Sequence, residues 1–133
     1  ATNDGGAGFL AALGARATDA TGRDVTHVLA NGGAGLSNIA HLDLSDVINR
    51  ISGVQIEVAT DVDNPLLGAR GAAATFASQK GASPEDVTAI ESAVTELAAA
   101  IGRNAEGKDP AVMLGAGALK SALRSIVIES QAE

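Results

Sequence analysis

At 133 residues the chain has the length of one domain, enough for a single hydrophobic core. Its 16 acidic against 9 basic residues leave a net charge of −7, which argues against binding the phosphate backbone of DNA or RNA. Without cysteine there are no disulfides or thiolate metal centres, and no uncharged apolar run is long enough to span a membrane. The first residues lack the basic, apolar and small-residue layout of a secretory signal, so the expected location is the cytoplasm. With 46% apolar but only 2% aromatic residues, the core has to be assembled from Ala, Val, Leu and Ile, and 16 glycines imply tight turns and close backbone approaches.

The chain opens on Ala-Thr-Asn-Asp-Gly-Gly-Ala-Gly and runs into Phe9, Leu10 and Leu13. Asn3 or Asp4 is suited to cap a helix over residues 5–14, with Gly14 as its stop. Residues 16–19 and 23–28 fit two short strands around a turn at Thr21 and Gly22. Asn31, Gly32 and Gly33 read as a loop. Leu36, Ile39, Ala40 and Leu42 then suggest a short helix, and Val47, Ile48 and Ile51 a further apolar patch.

Val54, Ile56 and Val58 alternate with Gln55, Glu57 and Ala59, predicting a strand over 54–60 with one buried face. It delivers the chain into Asp61, Val62, Asp63, Asn64 and Pro65, where proline ends the strand because it has no N–H for a ladder. Two acids and an amide at a strand tip are the most site-like feature of the sequence, since loops on rigid elements often carry the chemistry. Ser83, Pro84, Glu85 and Asp86 mark a helix start, with Ser as cap, Pro at the first position and acids in the first turn. Val87, Ile90, Val94, Leu97 and Ile101 follow as one apolar stripe that Gly102 ends. Residues 104–110 read as a polar linker, and Gly115 and Gly117 lead into a last helix holding Leu119, Leu123, Ile126 and Val127. No internal repeat is present. Helices with few strands give an α/β domain, with α+β as the alternative, compact and single over residues 1–133.

Each polar feature has a chemical and a plain reading. The glycines of residues 1–8 can bring backbone N–H groups to a phosphate, or simply precede a capped helix. No Gly-Lys-Ser/Thr occurs anywhere, so this is not a Walker loop. Asp61, Asp63 and Asn64 suit a Mg²⁺ ion or a substrate hydroxyl, and equally an Asx turn that ends a strand. Arg70 and Lys80 can each place a cation on a phosphate, although a loop lysine is more often just solvated. Neither His27 nor His41 has a partner at ligand or catalytic spacing, so both read as structural.

Taken in order, these segments resemble the bacterial-type glycerate kinase family. The resemblance is strongest over residues 58–84, where the family carries a Cys/Thr-Asp-Val-Asp-Asn-Pro-Leu block, then Gly-x-Arg-Gly-Ala, then Gln-Lys-Gly-Ala. The opening Ala-Thr-Asn-Asp-Gly-Gly-Ala-Gly looks like the family's second signature without the Gly-Ser pair that normally precedes it, and Asp43, Leu44 and Ser45 fall where the family often has Asp-Leu-Ser. The likeness extends over residues 1 to about 118. There the family continues Gly-Ala-Gly-Ala-Ala-Gly-Gly-Leu-Gly, whereas Leu119, Lys120, Ser121 and Ala122 stand here, a departure that weakens a phosphate-cradle role for Gly115 and Gly117.

What the resemblance implies is specific. Family enzymes pair a Rossmann-like domain, formed from both chain ends, with a second α/β domain from the middle, and residues 1–133 look like most of that second domain. Glycerate and nucleotide are then expected to meet in a cleft between the two, with ATP and Mg²⁺ as cofactors and 2- or 3-phosphoglycerate as product, the 2-phosphate favoured. Asp61 takes the place of the base or hydroxyl-orienting group, Asp63 with Asn64 that of metal or substrate ligands, and Asn3, Asp4, Arg70 and Lys80 those of phosphate or carboxylate contacts. This fragment alone is expected to be inactive. The competing reading is a non-catalytic, excised or rearranged domain that binds a small molecule or phosphate.

Overall fold

The computed structural model describes residues 4–55 and 64–102. The first helix, α1 (Ala7–Ala12), is shorter than the 5–14 expected. Gly5 and Gly6 adopt φ of +60° and +88°, and a right-handed helix cannot extend back through them. Asp4 still serves the helix start, but from two residues before the cap position that Gly6 occupies: its Oδ1 accepts from the Gly6 amide at 3.0 Å and its Oδ2 from the Gly8 amide at 3.2 Å. At the other end Gly14, with φ +103°, turns the chain. Its amide bonds to the Ala11 carbonyl and that of Ala15 to the Leu10 carbonyl, the paired bonds of a Schellman stop.

Strand β1 (Arg16–Thr18) departs from the expected hairpin. Its partner is β2 (His41–Asp43), antiparallel with Ala17 opposite Leu42, while the 23–28 arm shrinks to one bridge between Thr18 and Asp24. The reason is local: Asp24 accepts from the Thr26 amide and the Thr26 hydroxyl accepts from the Ala17 amide, which bends the chain into the 3₁₀ helix Thr26–Ala30. The helix expected around 36–42 does not form either. A 3₁₀ turn at Gly33–Leu36 is followed by extended Ser37 and by Asn38 at φ +76°, after which β2 begins. The apolar patch at 47–51 is helix α2 (Ser45–Ile51), entered through an Asx turn in which Asp43 accepts from both the amide and the hydroxyl of Ser45. Of the strand expected over 54–60, Val54 and Gln55 are coil and 56–60 lie outside the described residues, as do the elements expected beyond residue 102.

Helices α3 (Ala72–Phe76) and α4 (Pro84–Ile101) complete the described part. The start of α4 is as the sequence predicts: Ser83 Oγ accepts from the Asp86 amide, and the Asp86 carboxylate accepts from the Ser83 amide and hydroxyl. Replacing Ser83 by Ala is expected to lower stability by about 1 kcal/mol. The measurement is the urea midpoint at unchanged slope, and an unmoved midpoint would contradict it.

Among the described residues the buried apolar side chains are Ala, Leu, Ile and Val alone, as the near-absence of aromatics requires. Leu10, Leu29, Leu36, Leu66, Leu97 and Val47 are sealed from solvent, each worth roughly 1.5–3 kcal/mol of transfer free energy. Alanines let the elements approach, with Ala93, Val94, Leu97 and Ala98 turning α4 onto the 33–36 turn and onto α3. The fold is thus a compact mixture of short helices with a small sheet. No helix among the described residues is long and apolar enough to cross a membrane.

Candidate functional site

The segment from Asn64 to α3 is held by a network rather than by regular structure. Leu66 sits in the core and its carbonyl accepts from the Ala72 amide at 3.1 Å, tying the segment to the start of α3. Between them residues 68–71 form a tight turn, closed by the Gly71 amide on the Gly68 carbonyl at 2.7 Å. Gly68 enters it at φ +93°. Arg70 stands on this turn, exposed, and its guanidinium makes no hydrogen bond or ion pair with any described residue.

Asn64 binds the turn from the side. Its Nδ2 donates to the Arg70 carbonyl at 3.0 Å and to Thr75 Oγ1 at 3.2 Å, while the Thr75 hydroxyl donates to the same Arg70 carbonyl at 3.4 Å. A backbone carbonyl can only accept, so these bonds fix which end of the amide is nitrogen. The other end, Oδ1, carries no hydrogen bond to a described residue. An oxygen donor of this kind suits a hard cation such as Mg²⁺.

Behind the turn, Glu91 of α4 reaches across 23 positions, its Oε1 accepting from the Gly68 amide at 2.6 Å. Its Oε2 is buried and has no hydrogen-bond partner among the described residues. The sequence assigns neither Thr75 nor Glu91 a role. Thr75 falls inside the family-like stretch, which was a usable signal; Glu91 reads as an ordinary helical acid.

Of the other expected site residues, Lys80 closes the 3₁₀ turn Ser78–Lys80 that follows α3 and is exposed. Asp4 is buried in the loop before α1, on a different element. Asn3, Asp61 and Asp63 lie outside the described residues. The structure therefore joins Asn64 and Arg70 in one hydrogen-bonded unit and sets Lys80 on the next turn of chain. Both histidines are exposed, and among the described residues no three His, Asp or Glu side chains gather as a metal site. Asp19, Asp24, Asp43 and Asp86, away from this unit, are held below the usual carboxylate range by hydrogen bonds that make turns: the Thr21 hydroxyl first for Asp19, the Thr26 amide for Asp24, the Ser45 hydroxyl for Asp43 and the Ser83 amide for Asp86. These acids are structural.

The model of the Glycerate kinase family matches residues 1–121, which includes the whole of this unit. The chain belongs to the glycerate kinase family. A glycerate kinase of Haemophilus influenzae is 43% identical over 118 residues, covering 89% of this chain but 30% of that protein. A glycerate kinase of Bacillus subtilis is 44% identical over 98 residues, covering 74% of this chain and 25% of that protein. The glycerate 2-kinase of Escherichia coli K12 is 39% identical over 118 residues, again 89% and 30%. A crystal structure from Salmonella typhimurium LT2, assigned as a glycerate kinase 2, superposes with a TM-score of 0.75 at 44% identity, over 92% of this chain and 33% of that one. The chain thus spans between about a fifth and a third of the glycerate kinases it matches.

Proposed function

We propose that the chain is part of a kinase that transfers the γ-phosphoryl group of ATP to D-glycerate, giving 2-phosphoglycerate. The observation that carries this reading is the family match, which spans residues 1–121 and so every expected site residue. In the reaction a glycerate hydroxyl oxygen bonds to the γ-phosphorus as the bond to the departing ADP oxygen breaks. Asp61 orients that hydroxyl and takes its proton. Asn64, pinned through its nitrogen to Arg70 and Thr75, and Asp63 would hold a Mg²⁺ ion, whose oxygen-only donor set an amide oxygen and a carboxylate fit. When bound, Mg²⁺ neutralises charge on the phosphate oxygens. Arg70 and Lys80 add positive charge to an otherwise acidic domain, where a few local cations suffice to attract a phosphate. Asp4, with both carboxylate oxygens on the amides of Gly6 and Gly8, shapes the glycine loop that follows Asn3 in the sequence. We place the remainder of the site on a Rossmann-like partner domain, and the enzyme in the cytoplasm.

The full-length protein, incubated with ATP, Mg²⁺ and D-glycerate, is expected to release ADP and one phosphoglycerate, whose position ³¹P NMR reads directly. Residues 1–133 alone are expected to show no turnover above a blank, because both substrates must be held together for reaction. Full-length protein that leaves glycerate untouched, or an active isolated chain, would overturn the corresponding half of the reading.

A further inference from the structure

We propose that Glu91 is the positioning residue of this site: from α4 it fixes the turn at residues 68–71 and, through that turn, the placement of Arg70 and Asn64. The proposal rests on the reading of Asn64 and Arg70 as ligand contacts given above. Three observations support it.

The first is the bond itself. At 2.6 Å the Gly68 amide to Glu91 Oε1 contact is short and charge-assisted, and it joins residues that only the tertiary fold brings together. The second is where it acts. Gly68 opens the turn whose carbonyl accepts from Gly71, and the Arg70 carbonyl within that turn is the acceptor for the Asn64 side chain. Moving Gly68 therefore moves both proposed contacts.

The third is that the arrangement is poor for stability alone. Glu91 Oε2 is buried without a hydrogen-bond partner among the described residues, and a sealed, unsatisfied carboxylate oxygen is costly. An exposed glycine amide such as that of Gly68 can be satisfied by water instead. Positions that break a local rule without a stability gain concentrate where function is served. Glu96, one turn and a half further along α4, makes a similar bond to the Asn38 amide at 2.7 Å but leaves no oxygen buried and alone, and its loop carries none of the proposed contacts. It is the internal control.

The test uses the full-length protein with Glu91→Ala, Glu91→Gln and Glu96→Ala. Amide exchange at Gly68 and Gly71 reads the turn without reference to any activity. Glu91→Ala is expected to speed that exchange at least about tenfold. In the same variant kcat for glycerate phosphorylation should fall about tenfold or more, because misplaced contacts cost rate. Its Tm should be unchanged or higher, since the buried unpaired oxygen is gone. Glu91→Gln keeps an acceptor for Gly68 and should hold exchange and kcat within about threefold of the parent, and Glu96→Ala should leave both at the site unaltered. The proposal is overturned if Glu91→Ala leaves exchange at Gly68 unchanged, if it lowers Tm while the folded variant keeps its kcat, or if Glu91→Gln is as damaging as Glu91→Ala. Parent protein that does not phosphorylate glycerate would sink the functional reading, and the exchange measurements would still decide whether Glu91 holds the turn.

Discussion

Asp61→Asn in the full-length enzyme is expected to cut glycerate phosphorylation about a hundredfold or more, the cost of losing a base or hydroxyl-orienting carboxylate. Asp61 itself lies outside the described residues, and its sequence context carries the expectation. Asp61 and Asp63 are two apart, a spacing that in an extended segment turns both side chains to the same side. Two carboxylates so placed repel unless a cation or hydrogen-bond donors offset them. The structure adds their neighbour: Asn64 is locked by two bonds through its nitrogen, with its oxygen left over. An amide held that way at the end of an acidic pair fits a cation site better than a simple strand stop. Asparagine at 61 keeps the shape and the turn-forming capacity of aspartate, so Tm should move by no more than a few degrees, as for about 1 kcal/mol. A variant that melts far earlier yet turns over normally while folded would make Asp61 structural, and the site would have to be redrawn without it.

Gly71→Ala is expected to damage the same site by a different route. The backbone of Gly71 at φ −71° is one that any residue can adopt, so strain in φ is not the reason. Space is. An added Cβ would lie 2.6 Å from the Leu67 carbonyl carbon and 2.8 and 2.9 Å from the Gly68 oxygen and nitrogen, all of them backbone atoms that cannot rotate away. The turn must open, which breaks the Gly71 amide to Gly68 carbonyl bond and displaces the Arg70 carbonyl that Asn64 holds. A cost of about 1–3 kcal/mol is the usual range for such overpacking. The expected fall in kcat/KM is at least about tenfold, by the same misplacement that makes positioning matter. Gly68→Ala is the informative comparison. Gly68 has φ +93° but open space around its missing side chain, so alanine there costs only the left-handed penalty of about 1–2 kcal/mol and leaves the turn closed. Gly71→Ala should therefore be the worse of the two in kcat/KM. The reverse order would show that conformation, not crowding, is what the Gly-x-Arg-Gly pattern protects.

What could be read in the chain without the fold was whatever is decided within a few residues. The start of α4 was legible because Ser83, Pro84 and Asp86 complete their bonds among themselves, and its buried stripe because spacing along a helix fixes which residues share a face. The stop at Gly14 and the make-up of the core followed from single residue types in the same way. The ordered motifs over 58–84 were enough to mark the family and the segment that carries the candidate site. The strand partner of β1 was not legible, because 23–28 and 41–43 are both short polar-apolar segments, and the Thr26 hydroxyl, not a second strand, takes the Ala17 amide. The spacing of Leu36, Ile39 and Leu42 mimics a helix, yet these residues reach the core from a 3₁₀ turn, a coil and a strand, with Asn38 breaking the run. Asp4 was legible as a capping acid, while its seat two residues before the cap depended on the left-handed glycines that follow. Thr75 and Glu91 lie 11 and 23 residues from the groups they hold, and Gly71 is crowded by the turn it closes. Local bonding is written in neighbouring residues; a hydrogen bond or a close approach between distant ones exists only once the core has brought their elements together.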